Sequence, residues 1–289
     1  MSGRVTVRGL LSATIERLAA AGCVSAEAEA RWLVEEALGV RSGGLAAQRG
    51  DAVDEPGQAR LRAMVARRVA GEPLQHVIGW APFGALRLAV GPGVFVPRPE
   101  TEGLAERAAA RLPTTAGAVA VDLCTGSGAI ACFLKAARPV ARVVATELDP
   151  VALGYARRNA EPLGVEVLAG DLDEPLPGTL AGRVDVLTAN VPYVPTDQIT
   201  LLPSDVRDHE PRAALDGGRD GLDVLRRVTA VAGRWLGPGG WILCEVGDDQ
   251  ARSAADLLAG AGFAGVAVLP DLAGRERVVE GQWTHPESR

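Results

Sequence analysis

Two spacings of hydrophobic side chains divide this chain. Up to about residue 75 the apolar positions recur at helical intervals. Leu10, Leu11, Ile15 and Leu18 mark one run, Trp32, Leu33 and Leu38 a second that Ser25 is suited to cap, and Leu61, Val65 and Val69 a third. Gly71-Glu72-Pro73 closes this helical region. From Val77 to Val90 the pattern shortens to strand-like pieces around Pro82 and Gly84, which predicts a β-hairpin linker over 76–96. From 97 to 289 strands and helices alternate. The pattern predicts strands over 118–123, 142–147, 165–168, 183–189, 239–246, 263–268 and 276–281, and helices over 101–111, 129–137, 150–160, 221–235 and 249–261. Such alternation predicts an α/β fold, a parallel sheet with helices on both faces. The helix-poor interval before the last strand predicts that this strand runs antiparallel.

Two short segments stand where strands should end, and in an open α/β sheet ligands bind outside those ends. The first is Asp122-Leu123-Cys124-Thr125-Gly126-Ser127-Gly128, a strand end and glycine turn leading into a helix. Gly126 and Gly128 carry no Cβ and the first helical N–H groups are free, so a ligand can approach the backbone closely. The second is Asn190-Val191-Pro192-Tyr193, which places an amide side chain, carbonyls and an aromatic ring at the end of the fourth predicted strand.

The glycine turn fits the loose dinucleotide pattern, and Glu147 follows about 20 residues later, placed to take hydrogen bonds from a ribose diol. That match alone does not separate a nicotinamide cofactor from S-adenosyl-L-methionine. Three features favour the methyl donor. Asp122 puts a carboxylate where the cationic methionine part would lie. Gly170-Asp171-Leu172 offers an apolar side chain and an acceptor to an adenine ring. Asn190 to Tyr193 has no evident use in hydride transfer.

Composition narrows the classes further. The formal charge of −6 argues against broad affinity for nucleic acid or anionic membrane. Residues 1–75 are nearly neutral, with ten Arg against nine Asp plus Glu. Cys23, Cys124, Cys132 and Cys244 form no CxxC pair and read as reduced thiols, and His76, His209 and His285 lie too far apart for a metal motif, so no metal site is expected. The amino end lacks a signal-peptide core and no run of about 18 apolar residues occurs, which gives the expectation of a cytoplasmic protein.

With these residues in view, the sequence resembles the HemK/PrmC family of protein-(glutamine-N5) methyltransferases. The resemblance rests on Gly71-Glu72-Pro73-Leu74-Gln75, Pro97-Arg98-Pro99-Glu100-Thr101-Glu102, Asp122 to Ile130, Glu210-Pro211 through Asp220-Gly221-Leu222, and Glu245-Val246-Gly247 with Gln250. Asp271, Gly274 and Arg277-Val278-Val279 complete it. It implies a Rossmann-like class I methyltransferase sheet of seven mostly parallel strands behind a small all-α domain suited to partner docking. It also implies that S-adenosyl-L-methionine is held by Asp122, Cys124, Thr125, Gly126, Ser127, Gly128, Glu147, Asp171, Leu172 and Asn190. The substrate implied is the glutamine of the Gly-Gly-Gln motif in a peptide chain release factor, held at Asn190, Val191, Pro192 and Tyr193.

The family's reactive pattern is Asn-Pro-Pro-Tyr, and Val191 departs from it by lacking a fixed φ and adding an N–H. The expected mechanism has the Asn190 side-chain N–H donating to the glutamine carbonyl, the carbonyls of Asn190 and Val191 accepting from its NH₂, and Tyr193 shaping the slot. Other readings stay open on the residues alone. A nucleic-acid methyltransferase could present the same motif to an exocyclic amine, and a divergent paralogue could act on another protein glutamine. A nicotinamide oxidoreductase, or a binding protein that has lost turnover, are the remaining alternatives.

Overall fold

The structure, a computed structural model, describes residues 5–40, 43–271 and 273–284, so His285 lies outside it. The chain forms two compact units, Met1–Trp80 with Ser204–His209, and Ala81–Pro203 with Glu210–Arg289. Among the described residues no helix is long and apolar enough to cross a membrane.

The first unit is helical: α1 (Val7–Ala20), α2 (Ala26–Leu38), α3 (Glu55–Val69) and α4 (Leu74–Ile78). Leu18, Leu33, Val34, Leu61, Val65 and Ile78 form its core, with Leu10, Leu11, Ile15, Trp32 and Leu38 packed against it as the helical spacing predicts, whereas Val69, read as part of the third stripe, is exposed at the end of α3. Thr6 caps α1 by accepting from Gly9 N, and Asp54 caps α3 by accepting from Gly57 N. Ser25 occupies the cap position of α2 but makes no capping bond. Its ψ of 41° leaves the extended conformation that would aim its hydroxyl at the helix. Pro73, read as a stop, instead stands at the N-cap of α4, so helix continues into the interval assigned to the linker. The hairpin proper is β1 (Trp80–Phe83) with β2 (Leu86–Ala89).

The second unit continues with α5 (Pro99–Arg111), β3 (Val119–Leu123), α6 (Ala129–Ala137), β4 (Arg142–Glu147), α7 (Pro150–Ala160), β5 (Glu166–Ala169) and β6 (Val184–Asn190). After α8 (Ser204–Arg207), which belongs to the helical unit, come α9 (Asp223–Trp235), β7 (Leu236–Glu245), α10 (Ala251–Gly260), β8 (Phe263–Pro270) and β9 (Glu276–Trp283). The seven strands β3 to β9 are ordered β5-β4-β3-β6-β7-β9-β8. The first five in this order are parallel, and β9 is antiparallel to both β7 and β8.

Every residue of β3 is buried, as expected of a strand covered on both faces. Neighbouring residues alternate between two cores. Leu187 and Ile242 pack with Leu225 and Trp235 on one face, while Val186 and Leu243 pack with Leu104 and Leu134 on the other. Because β4 lies to one side of β3 and β6 to the other, the strand order reverses at β3. A crevice opens there, beyond the carboxyl ends of the strands.

One buried carboxylate ties α5 to the sheet. Glu280 on β9 accepts from Arg107 at 2.6 Å and from Arg111 at 2.7 Å, and Arg111 also stacks 3.4 Å over the Trp241 ring. Glu280→Ala strands two guanidinium groups that still reach solvent, so the expected loss is about 2–3 kcal/mol, near or below the low end for a broken buried pair. A lower urea midpoint at unchanged slope checks this; an unchanged midpoint would remove Glu280 from the account of stability.

Candidate active site

The crevice is a cavity of ≈410 Å³, within the range of small-molecule sites. Its walls come mainly from the carboxyl ends of β3, β4, β5 and β6. Cys124, Thr125, Gly126, Ser127, Glu147, Asp171, Leu172 and the whole of Asn190 to Tyr193 line it. Among the described residues, Cys124 (φ 55°) and Leu172 (φ 47°) are the non-glycine residues with left-handed backbone, and both line this cavity. Strain confined to one crevice marks it as the place where geometry is set for a ligand.

Asp122 and Gly128 do not line the cavity. Asp122, expected beside the cationic end of the methyl donor, is fully buried and accepts from Thr125 Oγ1 at 2.5 Å and Thr188 Oγ1 at 2.7 Å. It therefore ties the glycine turn to β6, and burial pushes its carboxyl up to about 6. Gly128, at φ 85°, sits where an added Cβ would stand 3.4 Å from the Ala156 Cα, so it lets α6 start close against α7. Glu147 is held at both oxygens: Oε2 accepts from Gly126 N at 2.8 Å and Oε1 from Asp149 N at 2.9 Å. Burial raises its pKa, and its remaining lone pairs suit a diol. Asp171 is already paired with Arg227 on α9 at 2.7 Å. Arg227 also lines the cavity, and nothing in its sequence neighbourhood marked it.

The Asn190 to Tyr193 turn is fixed from outside. Gln250 donates to the Tyr193 carbonyl at 2.7 Å and to the Asp220 carbonyl at 3.1 Å, while its own carbonyl accepts from Gly247 N. An added Cβ at Gly217 would stand 2.6 Å from the Pro192 oxygen, and one at Gly221 would stand 2.2 Å from the Tyr193 oxygen. These glycines let a second loop lie directly against the motif's backbone. Val191 is buried among the core side chains of one sheet face. The Tyr193 hydroxyl accepts from Arg277 at 3.4 Å, and burial pushes its pKa up to about 12.

Further along the same wall, Arg98 donates to both oxygens of Glu210 at 2.8 Å, clamping the Pro97–Glu102 segment to Glu210-Pro211. This clamp explains why those two distant segments occur together, since Pro97, Thr101 and Pro211 all line the cavity. Thr101, to which the sequence reading gave no role, accepts from the Asn190 Nδ2 at 3.2 Å. Its place inside the Pro97–Glu102 motif was the available signal.

Two substitutions test this geometry. Glu147→Ala removes a cavity carboxylate suited to a ribose diol and also frees Gly126 N, so affinity for S-adenosyl-L-methionine is expected to fall about 10- to 100-fold, read by calorimetry. An unchanged dissociation constant contradicts the assignment. Gly221→Ala, at φ 76° and against the Tyr193 carbonyl, is expected to cost about 1–3 kcal/mol, visible as a lower melting temperature.

Comparison with known proteins agrees with this architecture. Residues 9–79 match the PrmC N-terminal domain and residues 120–208 match a methyltransferase domain. The chain is 45% identical over 281 residues to the release factor glutamine methyltransferase of Mycolicibacterium smegmatis, covering 94% of this chain and 96% of the relative. It is 39% identical over 279 residues to the protein of the same name from Geobacter sulfurreducens, covering 96% of each. A methyltransferase from Pyrococcus furiosus, at 20% identity and a TM-score of 0.51, covering 78% of this chain and 98% of that one, shares the fold. With this identity sustained over nearly the full length of both chains, the protein belongs to the release factor glutamine methyltransferase family.

Proposed function

We propose that this chain transfers a methyl group from S-adenosyl-L-methionine to the side-chain amide nitrogen of the glutamine in a release factor's Gly-Gly-Gln motif. The observation that carries the reading is the Asn190 to Tyr193 turn, set rigidly in the wall of the cavity that the glycine turn and Glu147 also line. Gly126, Glu147, Leu172 and the adjoining backbone suit the cofactor, which when bound supplies an electrophilic methyl group.

An amide nitrogen is a weak nucleophile because its lone pair is delocalised into the carbonyl, so the protein must contribute by alignment. The carbonyl of Tyr193 is occupied by Gln250 and that of Pro192 faces Gly217. The acceptors left at the turn are the Asn190 side chain and the carbonyls of Asn190 and Val191. Asn190 was expected to offer its N–H to the substrate carbonyl; in the structure one N–H of Nδ2 is given to Thr101, on the side of Glu245. Oδ1 is the end left for the substrate, and it suits the NH₂ of a glutamine. Acceptors on both N–H bonds orient the nitrogen and favour the positive charge that develops on it. Valine at 191 keeps the carbonyl this scheme uses.

The helical unit is the candidate for docking the release factor, and such a substrate would place the enzyme in the cytoplasm. The test is incubation with labelled S-adenosyl-L-methionine and a full-length release factor, beside the same factor with its Gly-Gly-Gln glutamine replaced. Label on that glutamine alone, located by mass spectrometry, is the expected result. Label appearing instead on added DNA or RNA would overturn it. Asn190→Ala is expected to lower transfer by about 100-fold or more while cofactor affinity stays near wild type; retained turnover would remove Asn190 from the reaction.

A further inference from the structure

Behind Asn190, on the side away from the cavity, lies a carboxylate that the scheme above does not use. Glu245 ends β7 as the register partner of Asn190 on β6, so the two side chains project from the same face of adjacent parallel strands. It is 2% exposed, does not line the cavity, and its Oε2 has no hydrogen-bond partner among the described residues. Thr101, 4% exposed at the start of α5, takes the hydrogen bond from Asn190 Nδ2 at 3.2 Å, and the Thr101 and Asn190 side chains both act on the Glu245 carboxyl as hydrogen-bonding neighbours. Glu245 therefore cannot touch a substrate, and any effect it has on the reaction passes through Thr101 and Asn190.

The chemistry of these three groups gives the arrangement a direction. An ionised carboxylate only accepts hydrogen bonds. A threonine hydroxyl beside it must point its hydrogen at the carboxylate, which leaves Thr101 Oγ1 as an acceptor. An acceptor there selects the NH₂ end of Asn190 and turns Oδ1 toward the cavity. A protonated Glu245 can donate to Thr101 instead. The threonine hydrogen is then free to turn to Asn190, and the preference between the two amide orientations is lost. We propose that Glu245 is a positioning residue, an acceptor-only group that acts on the Asn190 amide both directly and through the Thr101 hydroxyl to fix which end of it meets the substrate.

The electrostatics around it agree. Burial raises the Glu245 carboxyl to about 7, opposed by Thr101, Arg277 and Asn190 and reinforced by Glu100. The groups facing it are thus Glu100 and Thr101 on α5, Asn190 on β6, Tyr193 in the turn and Arg277 on β9, the last paired with Asp248. The carboxylate form predominates above about pH 7 and is lost below it, so the orientation weakens on acidification.

The kinetic consequence rests on the proposed glutamine transfer, but the orientation can be read without it. The chain contains two asparagines, Asn159 and Asn190. Protein labelled with ¹⁵N only at asparagine therefore gives two side-chain NH₂ pairs, assigned with an Asn190→Ala sample. The Asn190 pair is expected to shift with a midpoint near pH 7, and the shift is expected to vanish in Glu245→Gln, to weaken in Thr101→Val and to persist in Thr101→Ser. The Asn159 pair, bonded to the carbonyls of Ala89 and Ser127, should stay in place and so report that each variant is folded. An Asn190 pair that follows the wild-type course in Glu245→Gln overturns the proposal. In turnover, Glu245→Gln should lower kcat about tenfold, flatten the acid limb of the pH profile and leave cofactor affinity unchanged, with Thr101→Ser retaining activity that Thr101→Val loses. A fall in kcat with the wild-type pH profile intact would reduce Glu245 to structural support. Failure of the wild-type enzyme to methylate a release factor would sink the functional reading while leaving the two NH₂ pairs to decide the role of Glu245.

Discussion

The parallel pairing of β3 with β6 is the constraint on which the rest depends. With Leu123 beside Ala189 in the ladder, the glycine turn after β3 and the Asn190 turn after β6 leave the sheet side by side at its carboxyl edge. Neither turn can form this cavity alone. The pairing in turn requires that both strands be apolar on both faces, because parallel strands in this position are covered by helices above and below. The cross-link from Thr188 on β6 to Asp122 on β3 adds a polar tie at the point where the strands diverge. Removing an interaction so deep in the sheet would displace both halves of the site together.

The same architecture explains how valine can stand where the family pattern has proline. Proline contributes a fixed φ. Here the turn is already held by Gln250 at the Tyr193 carbonyl, by Gly217 and Gly221 lying against the Pro192 and Tyr193 oxygens, and by Val194 pairing with Leu215 and Gly217. The Val191 side chain also packs into the core. With several independent restraints on four residues, one local restraint is redundant, and the proposed reaction would draw from position 191 only a carbonyl, which any residue supplies.

Much of this was legible in the sequence, for physical reasons that differ by region. The strands and helices of the second unit could be placed because buried parallel strands give unbroken apolar runs and their glycine turns are conspicuous. The hairpin was seen too, although Pro73 hid α4: a proline fits the first position of a helix as well as the end of one. At the site, eleven of the thirteen expected residues line the cavity. Asp122 was misplaced because a carboxylate at a strand end can face either the ligand or the turn, and only the positions of Thr125 and Thr188 decide which. The orientation of Asn190 was unreadable for a similar reason. Its two ends are alike in sequence, and the groups that distinguish them, Thr101 and Glu245, lie 89 residues upstream and on a separate strand.

The distribution of buried charge adds a last step. Asp122, Glu147 and Glu245 stand at the carboxyl ends of β3, β4 and β7 in the parallel part of the sheet, and burial raises the pKa of each. Of these, Glu147 lines the cavity, where Arg227 is the arginine and is already committed to Asp171. Among the described residues that line the cavity, acidic side chains therefore outnumber uncommitted cations. Positive charge entering the cavity would favour the ionised form of Glu147, because an opposite charge at close range offsets part of the desolvation cost. A cationic methyl donor is such a charge, whereas a nicotinamide dinucleotide brings anionic phosphates to the same turn. Of the two cofactors that the glycine pattern left open, the acidic lining of the cavity is the better match to the cationic methyl donor.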